Sequence, residues 1–193
     1  MTKKVNNCYF HTHHKIPNWF SGFGDLGRPI PVPHHSTFQI LDGKTNVVLT
    51  GVPDEIFQNG DGSLFIPDYK TGRFTGNQDK LLPMYAMQLN TYSLIATRIG
   101  MGKVSGIGLV YFEPLTEVDA STIDSIILDN GFSMKFTAKL LPLRLEPKKI
   151  SPLLRKVRAI HDQPDPPDGR PGCKDCQLLD GLMETVANKK GRR

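Results

Sequence analysis

The hydrophobic period changes twice between Phe38 and Phe112, and few folds accommodate that order. Short apolar runs split by turn residues come first: Phe38 to Leu41, the turn Asp42-Gly43, Val47 to Phe57, the turn Asn59-Gly60-Asp61-Gly62, and Leu64 to Lys70. This pattern predicts three antiparallel strands joined by tight turns. From Gln78 to Ile99 apolar residues recur three or four apart (Leu81, Tyr85, Leu89, Tyr92, Ala96, Ile99), a helical period that Gly100 and Gly102 stop. Pro83 is compatible only with a first turn, so the regular helix is expected to begin near it. A strand from Val104 to Phe112 follows, closed by Glu113-Pro114.

Beyond it, Phe132, Met134, Phe136, Ala138 and Leu140 alternate with polar residues, which predicts a half-buried strand. Ser151-Pro152 reads as an N-cap and first helical position, opening a basic amphipathic helix through about His161. The order β-β-β-α-β-β-α indicates an α/β domain with a mixed sheet flanked by helices. Residues 1–37, rich in His, Gly and Pro and lacking either period, are expected to run as an irregular arm, with the core over 38–162. A Pro-rich linker, a Cys173-x-x-Cys176 segment, a short helix over Leu178 to Val186 and a basic tail then occupy 163–193.

Composition narrows the function classes. No apolar run approaches the roughly 18 residues needed to cross a bilayer, and no apolar h-region follows the start, so the expectation is a cytoplasmic protein without membrane association. Three cysteines, an odd number, do not make a disulfide framework. Net charge is +5 over 193 residues, but residues 134–193 carry 14 Lys and Arg against 7 Asp and Glu, a net of +7. Such a region either holds a polyanion, by neutralising phosphates and releasing counterions, or is a solvated helix face with a basic tail. Arg155, Lys156 and Arg158 carry the same two readings.

Two acids stand at the ends of neighbouring predicted strands: Asp54 in Gly51-Val52-Pro53-Asp54 and Asp68 in Pro67-Asp68-Tyr69-Lys70-Thr71-Gly72. The turn between them folds one strand back on the other. Paired carboxylates suit a hard divalent ion such as Mg²⁺, which takes oxygen ligands and keeps waters that a substrate phosphate can replace. Lys70, two residues beyond Asp68, falls on the same face of its strand. A metal lowers the pKa of bound water, and an ammonium beside it orients the nucleophile or stabilises developing charge, which is the chemistry of phosphate-ester hydrolysis. Against this stands a plain alternative, in which both acids are turn formers and Lys70 reaches solvent.

The conjunction of Gly-x-Pro-Asp, a hairpin, Asp-Tyr-Lys-Thr-Gly fourteen residues after the first acid, and Gln88-Leu89-Asn90-Thr91-Tyr92 on the following helix resembles the PD-(D/E)XK nuclease superfamily. Within it the match looks closest to RecB-type domains and the related CRISPR adaptation exonucleases. The resemblance implies a restriction-endonuclease-like core and metal-dependent hydrolysis of DNA with Mg²⁺ or Mn²⁺. It further implies Asp54, Asp68 and the Tyr69 backbone carbonyl as metal ligands, Lys70 as the catalytic lysine, and Gln88 and Tyr92 facing substrate. Positions 88 and 92 do share a helix face, although Tyr92 as a core aromatic with Gln88 as its polar neighbour is the ordinary alternative.

Two departures from that family pattern bear on function. Its usual leading helix is not legible here, so His34 or His35 is a candidate substitute metal ligand, as are His13 and His14, or a partner chain supplies the missing helix. A catalytically impaired module that binds nucleic acid or a partner is the corresponding alternative. Relatives with a [4Fe–4S] cluster use four cysteines, whereas Cys8, Cys173 and Cys176 are three; such a cluster with a non-Cys ligand, a zinc site recruiting His161, or free thiols all remain open. Trp19 and Phe20 read either as a platform for base stacking or as an aromatic anchor for the arm.

Overall fold

The computed structural model describes residues 2–74, 80–116, 126–165 and 167–190. Its elements are α1 (Thr2–His13), β1 (Arg28–Ile30), β2 (Gln39–Asp42), β3 (Val47–Thr50), β4 (Ile56–Gln58), β5 (Leu64–Thr71), α2 (Leu82–Arg98), β6 (Val104–Pro114), β7 (Ile127–Leu128), β8 (Gly131–Phe132), β9 (Phe136–Leu143), α3 (Ile150–His161) and α4 (Lys174–Lys190), with short 3-10 turns at Asn18–Phe23 and Pro147–Lys149. They form two units, divided between Leu153 and Leu154.

In the first unit a five-stranded sheet runs in the order β1-β4-β5-β6-β9. All neighbours are antiparallel except β5 and β6, which pair in parallel from Leu64↔Val104 to Thr71↔Phe112. A parallel pair needs a crossover, and α2 provides it. The α/β class with a mixed sheet and flanking helices therefore holds.

Side-chain alternation along β5 and β6 makes two cores. Leu64, Ile66, Ile107, Leu109 and Tyr111 face one side, where they are buried with Leu89, Tyr92, Ile95 and Ala96 of α2. Phe65 and Val110 face the other, packed with Phe20, Phe57, Phe23, Tyr69 and Leu140. Asp68 and Lys70 thus point to the α2 side and Tyr69 and Thr71 to the opposite side. Asn90, buried on α2, donates through Nδ2 to the carbonyls of Ala86 (2.8 Å) and Arg144 (3.0 Å), tying the helix to the chain after β9.

Several expected boundaries shift for identifiable reasons. Residues 2–13 are helical: they contain neither Gly nor Pro, and the breakers that suggested an irregular arm all lie beyond Lys15. The chain thus carries a helix before its first strand. The single strand expected over Val47 to Phe57 is two, because Gly51-Val52-Pro53 breaks it: β3 pairs with β2 in a separate hairpin, while β4 joins the main sheet between β1 and β5. The strand expected from Phe132 starts at Phe136 and extends to Leu143, and Phe132 belongs to the small β7–β8 hairpin. Pro142 is tolerated because β9 is an edge strand.

Helix α2 begins at Leu82 with Pro83 in its first turn, as Pro83 dictates; Gln78 and Asp79 lie outside the described residues. The Asn59–Gly62 turn is present, with Gly62 at φ 80° and the Ser63 N–H donating to Asp61 Oδ1 at 2.9 Å. In the second unit α4 is longer than expected, running over Lys174–Lys190 and including Cys176. Among the described residues no helix is long and apolar enough to cross a membrane.

Candidate active site

Asp54 lies in the loop between β3 and β4, and Asp68 within β5, so the first acid does not end a strand as expected. Even so, the β4–β5 hairpin brings them together. The Tyr69 N–H donates to Asp54 Oδ2 at 2.8 Å, which places the Asp54 carboxylate against the backbone immediately after Asp68. Lys70 Nζ stands 2.6 Å from Asp68 Oδ2 and 4.1 Å from the centroid of the Tyr85 ring on α2. The aromatic face and the carboxylate hold the ammonium on the α2 side of the sheet. Sequence reading passed over Tyr85 as a core position, although its place one turn before Leu89 on the inward helix face was the available signal.

From α2, Gln88 donates through Nε2 to Asp68 Oδ1 at 3.3 Å and to the Tyr92 hydroxyl at 3.0 Å. The expected side chains Asp54, Asp68, Lys70, Gln88 and Tyr92 are therefore linked through a short chain of contacts. Tyr92 is also a buried core residue with Gln88 as its polar neighbour, which is the ordinary reading of the pair. Gly51 makes room for it: a Cβ there would stand 2.3 Å from Tyr92 Cε1. Gly51→Ala is expected to displace the ring and its bond to Gln88 at a cost of about 1–3 kcal/mol, the scale of overpacking. Chemical denaturation measures the cost, and an unchanged midpoint would contradict this packing.

Burial raises the Asp68 pKa above the ordinary aspartate value, with Lys70 opposing the shift and the Asp54 charge adding to it. Desolvation penalises the carboxylate, and a nearby cation or hydrogen-bond donor opposes that penalty. Two carboxylates with further positions left to water are a donor set that fits a hard divalent ion. Among the described residues no group of three or more His, Cys, Asp or Glu could hold a metal ion by itself. His34 and His35 are exposed, ring against ring at 3.9 Å, with His34 Nδ1 2.9 Å from Ser36 Oγ. His13 stacks on Tyr9 at 4.4 Å. No contact joins any of these histidines to Asp54 or Asp68.

Behind the acids lies a second polar group that the motif spacing did not signal. Glu55, 1% exposed, accepts a hydrogen bond from the Tyr69 hydroxyl, which in turn accepts one from Asn6 Nδ2 of α1 at 2.8 Å. Burial is the largest cause raising the Glu55 pKa, and Lys3 is among the groups opposing it. Tyr69 is thus fixed at both ends, its N–H on Asp54 and its hydroxyl on Glu55, and its phenol pKa is pushed upward by burial and by Glu55. A charge directly before the buried pair Ile56-Phe57 was the legible clue.

The sign of the pH effect follows from the raised Glu55 pKa. In the window from about 4.5 up to the folded-state value, the folded chain holds a proton that the unfolded chain has released, so stability falls as pH rises through that window and then levels. Glu55→Gln keeps an acceptor for Tyr69 and removes the charge. Its stability relative to the parent is expected to increase with pH through this window, and parallel denaturation curves for the two proteins would refute the assignment.

In the second unit Cys173 precedes α4 and Cys176 lies in its first turn; neither forms a disulfide. The backbone N–H and thiol of Cys176 lower the Cys173 pKa. Cys8, exposed on α1, is likewise free. Arg158 of α3 pairs with Asp162 at 2.7 Å, so one of the three basic side chains on that helix is already engaged.

A mixed sheet crossed over by α2, two acids converging across a hairpin and a lysine two residues after the second define a nuclease-type α/β domain. The PD-(D/E)XK nuclease superfamily model matches residues 13–180, and the chain belongs to that superfamily. No curated protein matches the chain.

Proposed function

We propose that the chain is a divalent-ion-dependent deoxyribonuclease that hydrolyses phosphodiester bonds, with Asp54, Asp68 and the Tyr69 carbonyl as metal ligands. The observation that carries this reading is the bond from the Tyr69 N–H to Asp54, which seats that acid beside the Asp68–Lys70 pair. Mg²⁺ or Mn²⁺ bound there supplies Lewis acidity and a water of lowered pKa. Lys70 positions the nucleophile or stabilises charge on the phosphate, its ammonium steered by Asp68 and Tyr85. Gln88 holds Asp68 Oδ1 and Tyr92 in register, and its pairing with Tyr92 supports the RecB-type subdivision of the family. The net +7 of residues 134–193 is of the sign a DNA backbone requires.

Calorimetric titration with Mn²⁺ tests the ligand set. Asp68→Asn is expected to weaken binding at least about tenfold, the scale seen even for outer-shell changes at metal sites. Because protons compete for a buried acid with a raised pKa, parent affinity should decline on acidification before an ordinary aspartate would begin to protonate. Mn²⁺ affinity unchanged by both Asp54→Asn and Asp68→Asn would overturn the proposal. DNA binding that survives Asp68→Asn and needs no ion, with no cleavage in any metal, would establish a binding module instead.

A further inference from the structure

On the face of the sheet opposite Lys70, at the C-terminal end of β5, lies a cavity of about 220 Å³. Its walls are aromatic and apolar: Trp19, Phe112, Phe136 and Val5, with Asn6 and Thr71 as the polar members. Thr71 directly follows Lys70 in β5, so the cavity shares a strand end with the candidate active site.

The aromatic pair that sequence reading left with two interpretations divides here. Phe20 is 2% exposed and edge-on to Phe57 at 5.3 Å, so it is the anchor. Trp19 remains 37% exposed beside the cavity, held edge-to-face with Phe112 at 6.4 Å. Val5 and Phe136 are 52% and 40% exposed on the same rim, leaving large apolar side chains in water around one opening.

A second observation gives the cavity a chemical preference. Asn6 is 3% exposed, and its Nδ2 is committed to the Tyr69 hydroxyl. Its Oδ1 is buried and has no hydrogen-bond partner among the described residues. A buried acceptor without a donor costs free energy, and native structures leave few of them. Flat aromatic walls with an amide side chain among them suit a planar ring that carries polar groups on its edge.

From this we infer that the cavity receives a nucleobase of the DNA strand, unstacked from its neighbours and stacked on Trp19, with its polar edge toward Asn6 and Thr71. The inference rests on the nuclease reading above. Binding at both places requires a strand with its phosphate at Asp68 and Lys70 to pass over the end of β5. Base–aromatic stacking tolerates every base, so the cavity selects unpaired strand over duplex rather than a sequence.

Trp19 is the only tryptophan of the chain, so its fluorescence reports the cavity directly. The full chain, kept in EDTA to prevent cleavage, is titrated with an oligothymidylate and with an abasic strand of equal length. Saturable quenching by the first and not by the second is the expected result. With the oligothymidylate end-labelled, anisotropy is expected to give about tenfold weaker binding for Trp19→Ala and for Phe136→Ala, the scale of one stacked base. Phe136→Ala alters an exposed rim residue and retains the Trp19 signal, which guards against a folding artefact.

Equal quenching by both strands, no quenching by a bound oligonucleotide, or equal quenching of free tryptophan by the same oligothymidylate would overturn the inference. Cleavage that depends on Lys70 without base-dependent quenching removes the cavity assignment alone. Base-dependent quenching without cleavage removes the nuclease reading alone.

Discussion

Lys70→Ala is expected to lower single-turnover DNA cleavage by about 10²–10³-fold, the cost of deleting one preorganised electrostatic group, and to leave Mn²⁺ affinity within a small factor of the parent. The two halves of this expectation come from different contacts. Asp54 and Asp68 remain to bind the ion, and the Tyr69 N–H still holds Asp54. What disappears is the ammonium 2.6 Å from Asp68 and over the Tyr85 ring. Lys70→Arg is expected to rescue little, because a planar guanidinium does not reproduce a point charge seated on one carboxylate oxygen. A variant that cuts at the parental rate would remove Lys70 from the chemistry.

The largest stability effect is expected at Leu109→Ala. Leu109 is fully buried and lies directly opposite Asp68 in the β5–β6 register, packed in the core beneath α2. Truncating it leaves a cavity between the sheet and that helix, at a cost of about 2–5 kcal/mol. Domains of this kind have a total stability of only about 5–15 kcal/mol, so the variant should unfold at markedly lower urea concentration. Because Leu109 supports the strand that carries both Asp68 and Lys70, activity measured well below the unfolding midpoint should also fall. A midpoint unchanged by this truncation would contradict the packing of β6 against α2.

The placement of the candidate site residues is more legible in the sequence than the frame that carries them. Period 2 along Leu64 to Lys70 and period 3.6 along α2 are strong local signals. They brought Asp68, Lys70, Gln88 and Tyr92 to the correct elements and to one side of the sheet. Asp54 was found through its motif, but its loop was read as strand because Val47 to Phe57 is apolar at both ends. Only Gly51 and Pro53 mark the break, and the Gly51 requirement is tertiary, set by the Tyr92 ring. Helix α1 is obscured by the Gly and Pro crowded into residues 17–33, although residues 2–13 contain neither.

Glu55 and Asn6 illustrate a different limit. Nothing local relates a residue of α1 to one before β4. Their association exists because both reach the Tyr69 hydroxyl across the sheet, a contact spanning 63 residues between Asn6 and Tyr69. Polar groups joined only by such a long-range partner leave no periodic trace. Strand β1 is similar: three residues including Pro29, paired at the edge with β4, carry too little pattern to be seen.

Under the proposed function this domain cuts DNA with an ion held by Asp54 and Asp68. Incubating end-labelled single- and double-stranded DNA with the parent chain in Mg²⁺, in Mn²⁺ and in EDTA, with Lys70→Ala alongside, tests it most directly. Fragments in either metal, none in EDTA and none above background from Lys70→Ala are the predicted result, and the product ladder then identifies the preferred strand. Cleavage that persists in EDTA, or fragments of equal yield from parent and variant, would contradict it.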